Sequence, residues 1–291
     1  MEGPVAARTP DGSRLHFRHG PIDLILEAFG EPDRVAEAYR RAWERFRGVL
    51  EELVAELPRL RSPLDGHGFR GSVARRMEAA VARFPATFVT PMAAVAGAVA
   101  DEICSEMAAC ELRRAYVNDG GDIALHLAPG ERFDVGLVPV PERPALLGKA
   151  TVRAEDPVRG IATSGRRGRS FSLGIADAVT ALGEDAATAD AAATLIANAV
   201  DLPGHPAIER TPASELDPSS DLGERPVTVA VGALAEVEVE EALSAGVVAA
   251  EEMRSSGVIA AAVLCLGDRV RTVGRPQGLR SMAPGTRTSE R

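Results

Sequence analysis

The chain has 291 residues, of which 45% are hydrophobic and only 4% aromatic, so its core must be built from closely packed aliphatic side chains. Its formal net charge of −9 excludes the broad basic surface that binds nucleic acid or an anionic membrane. We therefore expect small molecules or proteins as partners.

The cysteines and the first residues bear on the compartment. Cys104, Cys110 and Cys265 form no CxxC pair and have no histidine at zinc-finger spacing, so neither a disulfide framework nor a structural zinc is predicted. The first residues lack the apolar core of a signal peptide, and no apolar run reaches the ~18 residues of a membrane span. We expect a cytoplasmic protein that does not contact a membrane.

The chain is predicted to open with an arm, a hairpin and a long helix. Residues 1–12 are predicted to be a flexible N-terminal arm, and Arg14–His19 and Ile22–Glu27 two short strands. The helix starts at Pro32, and its apolar residues follow the i, i+4, i+7 spacing of one buried face. This face carries the only tryptophan, Trp43, which we expect to pack in the core and not to bind a cofactor.

A loop and two helices are predicted next. Residues 58–71 form the loop around His67, which has no carboxylate or cysteine at helical spacing and is more simply a surface side chain than a ligand. Val73–Phe84 has the spacing of an amphipathic helix. Met92–Cys110 begins with alanine, valine and glycine, and residues this small let a neighbouring backbone or a ligand come close.

The segment Arg114–Leu127 consists of two alternating runs around a glycine-rich turn. The turn predicts a β-hairpin, because its residues tolerate the positive φ that a tight turn needs. A second interpretation is that Gly120 and Gly121 let backbone amides approach an anionic ligand, with Asn118 and Asp122 forming hydrogen bonds to it. The pattern alone leaves both interpretations open.

The most basic stretch, Arg159–Ser172, stands out in an acidic chain. Arginine forks and glycine-exposed amides suit phosphate oxygens, although a solvated basic loop has the same composition. The candidate residues are Thr163, Ser164, Gly165, Arg166, Arg167 and Arg169. The spacing of a Walker A loop and the GxSxG turn of a serine hydrolase are both absent.

The run from Thr188 to Asp201 predicts a helix that is buried on almost all sides. Asp190, Thr194 and Asn198 nevertheless recur at i, i+4 and i+8, with Asp201 at i+11, on one narrow arc of this helix. A buried carboxylate needs a partner, and carboxylate and hydroxyl oxygens suit Mg²⁺ better than zinc. A hydrogen-bonded helix N-terminus would explain the same pattern.

The rest of the chain is predicted as a long connection followed by regular elements. Residues 202–226 have no predicted secondary structure, and connections of this length often form a lid or a mobile flap. The other predicted elements are strands at Phe133–Val140, Val227–Gly232 and Val258–Leu266, a helix at Ala235–Met253 and a disordered tail at 274–291.

Four of these segments, in this order, resemble motifs of the ApbE-like superfamily, whose best-known members are FAD:protein FMN transferases. They are Gly97 with Asp101, Asn118-Asp119-Gly120-Gly121-Asp122, Thr163-Ser164-Gly165, and Ala189-Asp190-Ala191-Ala192-Ala193-Thr194. The resemblance spans residues 92–200 and is closest to a less characterised, cytosolic branch. It implies an α+β, T-fold-like domain over residues 13–273, with antiparallel sheets flanked by helices.

The resemblance also implies ligands. Asp190 and Thr194, completed by the backbone carbonyl of Val95, would hold Mg²⁺ beside the pyrophosphate of FAD, where the ion neutralises charge on the phosphoryl oxygens. The residues that would contact the flavin nucleotide are Asn118, Gly120, Gly121, Asp122, Thr163, Ser164, Gly165, Arg166, Arg167 and Arg169.

Two departures from the family pattern limit the functional prediction. Ala96 replaces the family's lysine, and residues 173–178 replace a His-x-x-Asp-Pro segment whose histidine is the proposed base for a protein threonine acceptor. No catalytic residue is therefore predicted. We predict a Mg²⁺-dependent flavin-nucleotide-binding protein that acts on or transfers from a pyrophosphate. The alternatives are a non-catalytic binding module without the transferase base and an enzyme with another small-molecule substrate, and a protein acceptor is an open partner.

Overall fold

Runs of antiparallel strands and runs of helices follow one another in the computed structural model, which describes residues 3–137, 148–274 and 280–281. The helices are Pro32–Phe46 (α1), Val49–Leu60 (α2), Ser72–Val81 (α3), Val95–Ala108 (α4), Ala186–Ala199 (α5), Ala213–Leu216 (α6) and Glu236–Ser255 (α7), and a 3₁₀ turn, Pro91–Ala94, precedes α4. The strands are Val5–Arg8 (β1), Leu15–His19 (β2), Ile22–Phe29 (β3), Arg114–Asp119 (β4), Asp122–Leu127 (β5), Arg132–Leu137 (β6), Gly148–Arg153 (β7), Gly160–Ser164 (β8), Ala178–Gly183 (β9), Ile208–Pro212 (β10), Pro226–Val231 (β11), Ile259–Leu266 (β12), Arg269–Val273 (β13) and Arg280–Ser281 (β14).

Within the described residues, nine strands form one sheet in the order β1-β2-β3-β4-β5-β8-β9-β12-β13, and each neighbouring pair is antiparallel. Two smaller antiparallel sheets join β10 to β11 and β14 to β7 and β6. The predicted α+β class with antiparallel sheets flanked by helices is therefore confirmed.

One face of the large sheet is covered by helices. Strand β3 alternates strictly between buried and half-buried residues, which puts Leu24 and Leu26 in the main core. Helices α4, α5 and α7 pack on this face, and α1 packs on α4. Trp43 meets Phe17 and Phe46 at ring-centroid distances of 5.2 and 6.1 Å, so its predicted place in the core is confirmed.

The opposite face is covered in part by the β6–β7 hairpin. Val152 of the hairpin is buried with Leu125, Ile161 and Leu182 of the sheet, and Val135 packs against the same cluster. The sheet therefore has two covered faces, called here the helix face and the hairpin face.

Two predicted elements differ from the structure. The long helix from Pro32 is two helices, because the Gly48 amide donates to the Arg45 carbonyl three residues back and tightens the chain before α2 begins. Within the predicted arm, Val5–Arg8 pairs with β2 along its whole length. Most of the predicted tail at 274–291 and the end of the predicted strand at Phe133–Val140 lie outside the described residues.

The predicted structureless connection at 202–226 contains β10 and α6 and leads into β11. This ribbon is fastened to the rest of the fold, since the Thr228 amide donates to the Ser172 carbonyl at 2.9 Å and Arg225 lies over the ring of Phe88. These residues therefore do not form a flap that is detached from the domain. The predicted strand at Val227–Gly232 is β11, but its partner β10 was missed because residues 208–212 carry no alternating apolar pattern.

Candidate functional site

Helix α5 has a single line of accessible positions. From Ala186 to Ala197 every residue is buried except Asp190 and Thr194, and Asn198 continues the line one turn later. Asn198 accepts a hydrogen bond from the Leu173 amide at 2.9 Å and so fixes a neighbouring loop. Asp190 and Thr194 thus share one face of α5 and reach solvent from it, as the sequence predicts.

Backbone contacts hold α5 in place. A Cβ on Gly97 would lie 2.2 Å from the Ala186 carbonyl oxygen, and a Cβ on Gly160 would lie 2.0 Å from the Asp185 carbonyl oxygen. Only glycine at these two positions therefore allows α4 and β8 to pack this close to the start of α5. Asp101 accepts hydrogen bonds from the amides of Ala186 and Ala187 at 3.0 and 2.9 Å. It therefore binds the first two amides of α5 from α4, next to the N-cap Asp185, and the sequence does not reveal this role.

Asp190 and Thr194 make different contacts. An Asp190 carboxylate oxygen accepts a hydrogen bond from the Gly97 amide at 3.1 Å, which places it at the start of α4, where Val95 is the first residue. The Thr194 hydroxyl donates to the Ser164 hydroxyl at 3.2 Å at the end of β8. The helix face of the sheet thus brings together carboxylate, hydroxyl and backbone groups.

Two more carboxylates lie near Asp190 on the helix face. Asp119 and Asp122 are paired at the ends of β4 and β5, and alternation along the strands puts them on the same face as Val117 and Ala124 of the main core. Asp119 is 4% exposed, and its Oδ1 has no hydrogen-bond partner. The Asp122 Oδ1 accepts a hydrogen bond from the Thr163 amide at 3.1 Å.

These three carboxylates are costly to ionise together. Burial raises the pKa of Asp119 to about 7 and, with repulsion from Asp119, that of Asp122 to about 7. Part of the Asp190 side chain reaches the surface, but the surrounding protein and the charges of Asp122 and Asp119 raise its pKa well above the ordinary value. Either protons or a cation must neutralise such a group.

The donor set fits a hard cation with oxygen ligands. Among the described residues no three His, Cys, Asp or Glu side chains are close enough to share a metal ion. Any ion at Asp190 would therefore depend on hydroxyl and backbone oxygens as well, such as those of Thr194 and Val95, and this ligand type suits Mg²⁺. The Asp119 oxygen that accepts no hydrogen bond adds negative potential at this place.

A cleft of about 280 Å³ opens beside this cluster, mainly on the hairpin face. Its walls are half polar and half apolar, and the Thr163 and Thr180 hydroxyls lie 2.8 Å apart. The lining residues are Asn118, Gly120, Gly121, Ile123, Val135, Gly136, Ile161, Thr163, Ser164, Arg167, Gly168, Asp177, Ala178 and Thr180. Six of the predicted ligand contacts, Asn118, Gly120, Gly121, Thr163, Ser164 and Arg167, therefore share one cleft.

The other predicted residues lie around this cleft without lining it. Asp122, Asp190 and Thr194 are on the helix face, and the bond between Thr194 and Ser164 links the two sides at the strand ends. The glycine-rich turn forms the predicted hairpin. Gly121 adopts a φ of 120° and donates its amide to the Asn118 side chain at 2.8 Å.

The basic loop is organised by carboxylates. Arg166 Nη2 and Arg167 Nε lie 2.6 and 2.7 Å from the same oxygen of Asp177. Arg169 lies across the glycine turn with Nη2 at 3.9 Å from Asp119 Oδ1. Asp177 interrupts an apolar run in the sequence, but its pairing with the arginines was not predicted, because nothing local shows which charges it meets.

The segment that replaces the family's histidine is closed by packing. A Cβ on Gly174 would lie 2.2 Å from the Ala197 carbonyl oxygen and 2.8 Å from that of Val200. The position therefore has no room for a side chain unless the end of α5 moves.

No helix within the described ranges is long and apolar enough to cross a membrane.

Comparison with known proteins gives the family. Residues 6–272 match a family model described as AbpE bacteria. A UPF0280 protein of Methanocella arvoryzae is 36% identical over 160 residues, which cover 54% of this chain and 63% of that protein. A UPF0280 protein of Methanosphaerula palustris is 32% identical over 194 residues, which cover 64% of this chain and 77% of that protein.

Among solved structures, the apo form of the flavinyl transferase ApbE of Pseudomonas stutzeri is 13% identical, with a TM-score of 0.43 and 93% of each chain covered. The chain spans less than two thirds of the Methanocella relative. The family match extends over nearly the whole chain and confirms the resemblance to the ApbE-like superfamily. The chain belongs to the family described as AbpE bacteria.

Proposed function

We propose that the chain binds a flavin nucleotide of the FAD type together with Mg²⁺ in the cytoplasm, and that it acts on or transfers from the pyrophosphate. The observation that carries this proposal is the placement of Asp190 and Thr194 as the accessible line of a buried helix, next to two further carboxylates. Family membership supports the same ligand class.

Each part of the site has a distinct role in this proposal. Asp190, Thr194 and the Val95 carbonyl would hold Mg²⁺, which supplies electrostatic stabilisation of charge on phosphoryl oxygens. Arg167, at the cleft wall, would bind phosphate, and the apolar part of the cleft would receive the ring system. Asn118 fixes the glycine turn through the Gly121 amide and so shapes the cleft wall.

A second candidate is a non-catalytic flavin-nucleotide-binding module. The contact of Gly174 with the Ala197 carbonyl favours it, because a base for a protein acceptor has no room there. For the catalytic candidate, the same contact makes water or a small molecule a better acceptor than a protein side chain. The two candidates share the binding step and differ only in whether FAD stays intact.

The first experiment tests the binding step with Asp190→Asn. We expect wild type to bind FAD only with Mg²⁺, and the variant to bind at least about tenfold more weakly, a change of about 1.4 kcal/mol, because the main charged ligand of the ion is gone. Titration calorimetry with and without Mg²⁺ measures this. Asp268→Asn, at a residue 94% exposed, is the matched control. Equal Mg²⁺-dependent affinity in wild type and Asp190→Asn would remove the assignment.

The second experiment separates the two candidates. Purified protein is incubated with FAD and Mg²⁺, and the nucleotides are resolved by chromatography. Release of FMN and AMP in equal amounts supports chemistry at the pyrophosphate, with water as the acceptor. Bound FAD that stays intact supports the binding module.

A further inference from the structure

Asp177 joins the basic loop to the sheet. Its side chain is 3% exposed, and one oxygen accepts a hydrogen bond from Arg167 Nε at 2.7 Å and forms an ion pair with Arg166 Nη2 at 2.6 Å. The other oxygen accepts from the Gly267 amide of the β12–β13 turn at 2.7 Å. The Asp177 amide itself donates to the Cys265 carbonyl at 2.9 Å. The position of the Asp177 carboxylate is therefore fixed by backbone hydrogen bonds as well as by the two arginines.

Two guanidinium groups on one oxygen atom repel each other. Only a negative charge between them makes this arrangement stable, and the low exposure of Asp177 strengthens the attraction. Arg167 is 42% exposed and lines the cleft together with Gly168, so its guanidinium borders the cleft.

We propose that Asp177 is a positioning residue, which holds Arg166 and Arg167 so that Arg167 presents its guanidinium to a phosphate or pyrophosphate group in the cleft. This inference rests on the proposed function, because it deepens the description of the same cleft. It assigns the anion-binding part of the cleft to Arg167 and makes that part separate from the Mg²⁺ ligands on the helix face.

The sign of one mutational effect tests this role. If Asp177 only lowered the local positive charge, Asp177→Asn would strengthen the binding of an anion. If it positions the arginines, the same change lets the two guanidinium groups move apart and weakens anion binding, because a fork of fixed geometry is lost. The isosteric substitution therefore gives opposite results for the two roles.

The probe is inorganic pyrophosphate in the presence of a chelator, so that no divalent ion contributes. Dissociation constants are measured by calorimetry for wild type, Asp177→Asn and Asp177→Glu, with thermal melting of each protein. We expect affinity to fall at least tenfold in Asp177→Asn and to return in part in Asp177→Glu, which restores the charge. Asp201→Asn, at a half-buried carboxylate that pairs with another arginine, Arg210, should alter stability but not pyrophosphate affinity.

Equal or tighter pyrophosphate binding by Asp177→Asn would overturn the positioning role. If wild type binds FAD with Mg²⁺ but no pyrophosphate, the positioning role fails and the proposed function stands. Binding of neither ligand removes both. Should Asp177→Asn not fold, Arg167→Lys replaces it, since lysine keeps the charge without the fork. A tenfold loss then supports the proposal, and unchanged affinity refutes it.

Discussion

Replacing Asp119 by asparagine should make the protein more stable above neutral pH in the absence of divalent ions. The Asp119 side chain is 4% exposed, its Oδ1 has no hydrogen-bond partner, and burial raises its pKa to about 7. Asparagine has the same shape and carries no charge. The change therefore removes the cost of ionising a buried group and leaves the packing of β4 unaltered.

The sign and size of the effect follow from proton linkage. An aspartate whose pKa is higher in the folded state than in the unfolded state binds more protons when folded, so the free energy of unfolding falls as pH rises from about 4 to about 7 and then levels off. Between about pH 5 and about pH 8 the loss for one such group is on the order of 3 kcal/mol. Asp119 also raises the pKa of Asp122, so asparagine should lessen that loss as well.

Chemical denaturation at several pH values with a chelator present measures this difference. We expect the free energy of unfolding of wild type to fall between about pH 5 and about pH 8, and that of Asp119→Asn to fall distinctly less. Asp268→Asn, at an exposed aspartate of the β12–β13 turn, should follow wild type. Parallel curves for wild type and Asp119→Asn would refute the argument that Asp119 is ionised at a cost.

Two further predictions concern packing and a buried ion-pair network. Gly174→Ala should lower the free energy of unfolding by about 1–3 kcal/mol, since the new Cβ meets a carbonyl oxygen, whereas Gly48→Ala, with open space around it, should change it by less than about 1 kcal/mol. Glu102→Gln should cost about 3 kcal/mol, because Glu102 is 7% exposed and bonds Arg45 and Arg76 at 2.8 Å each. Its control, Glu44→Gln in an exposed ion pair, should lower the free energy of unfolding by less than about 0.5 kcal/mol. Thermal or chemical denaturation measures each of these changes.

The sequence is most informative where a local pattern carries the structure. The hairpin of β4 and β5 is predicted because its turn and its alternating runs are adjacent in the chain. The line of Asp190 and Thr194 is predicted because helical spacing alone defines it. The break before α2 was missed, since Gly48 lies within an apolar stripe that continues on both sides.

Contacts between distant segments were beyond the reach of sequence patterns. Asp177 meets a loop ten residues earlier and a turn ninety residues later, and no spacing rule joins them. In the sequence Asp119 looks like an ordinary turn residue. Its burial follows only from the helices that cover its face of the sheet. The hydrogen bonds of Asp101 to the first amides of α5 have the same cause. The chemistry of the site therefore depends on tertiary contacts, and its location on local ones.

The glycine contacts at the beginning of α5 affect how a ligand is received. At Gly97 and Gly160 the main chain packs directly against the main chain of α5, so α5 cannot shift along its axis without a steric clash. The Asp190 carboxylate therefore has a fixed location before a ligand binds. Immobilising a free side chain when a ligand binds costs about 0.5–1.5 kcal/mol. The Asp190 side chain is already fixed by folding, so its immobilisation adds no such cost to ligand binding. Adaptation to different ligands is left to the exposed arginines. The part of the site around Asp190 is therefore rigid, and the part formed by the arginines is adjustable.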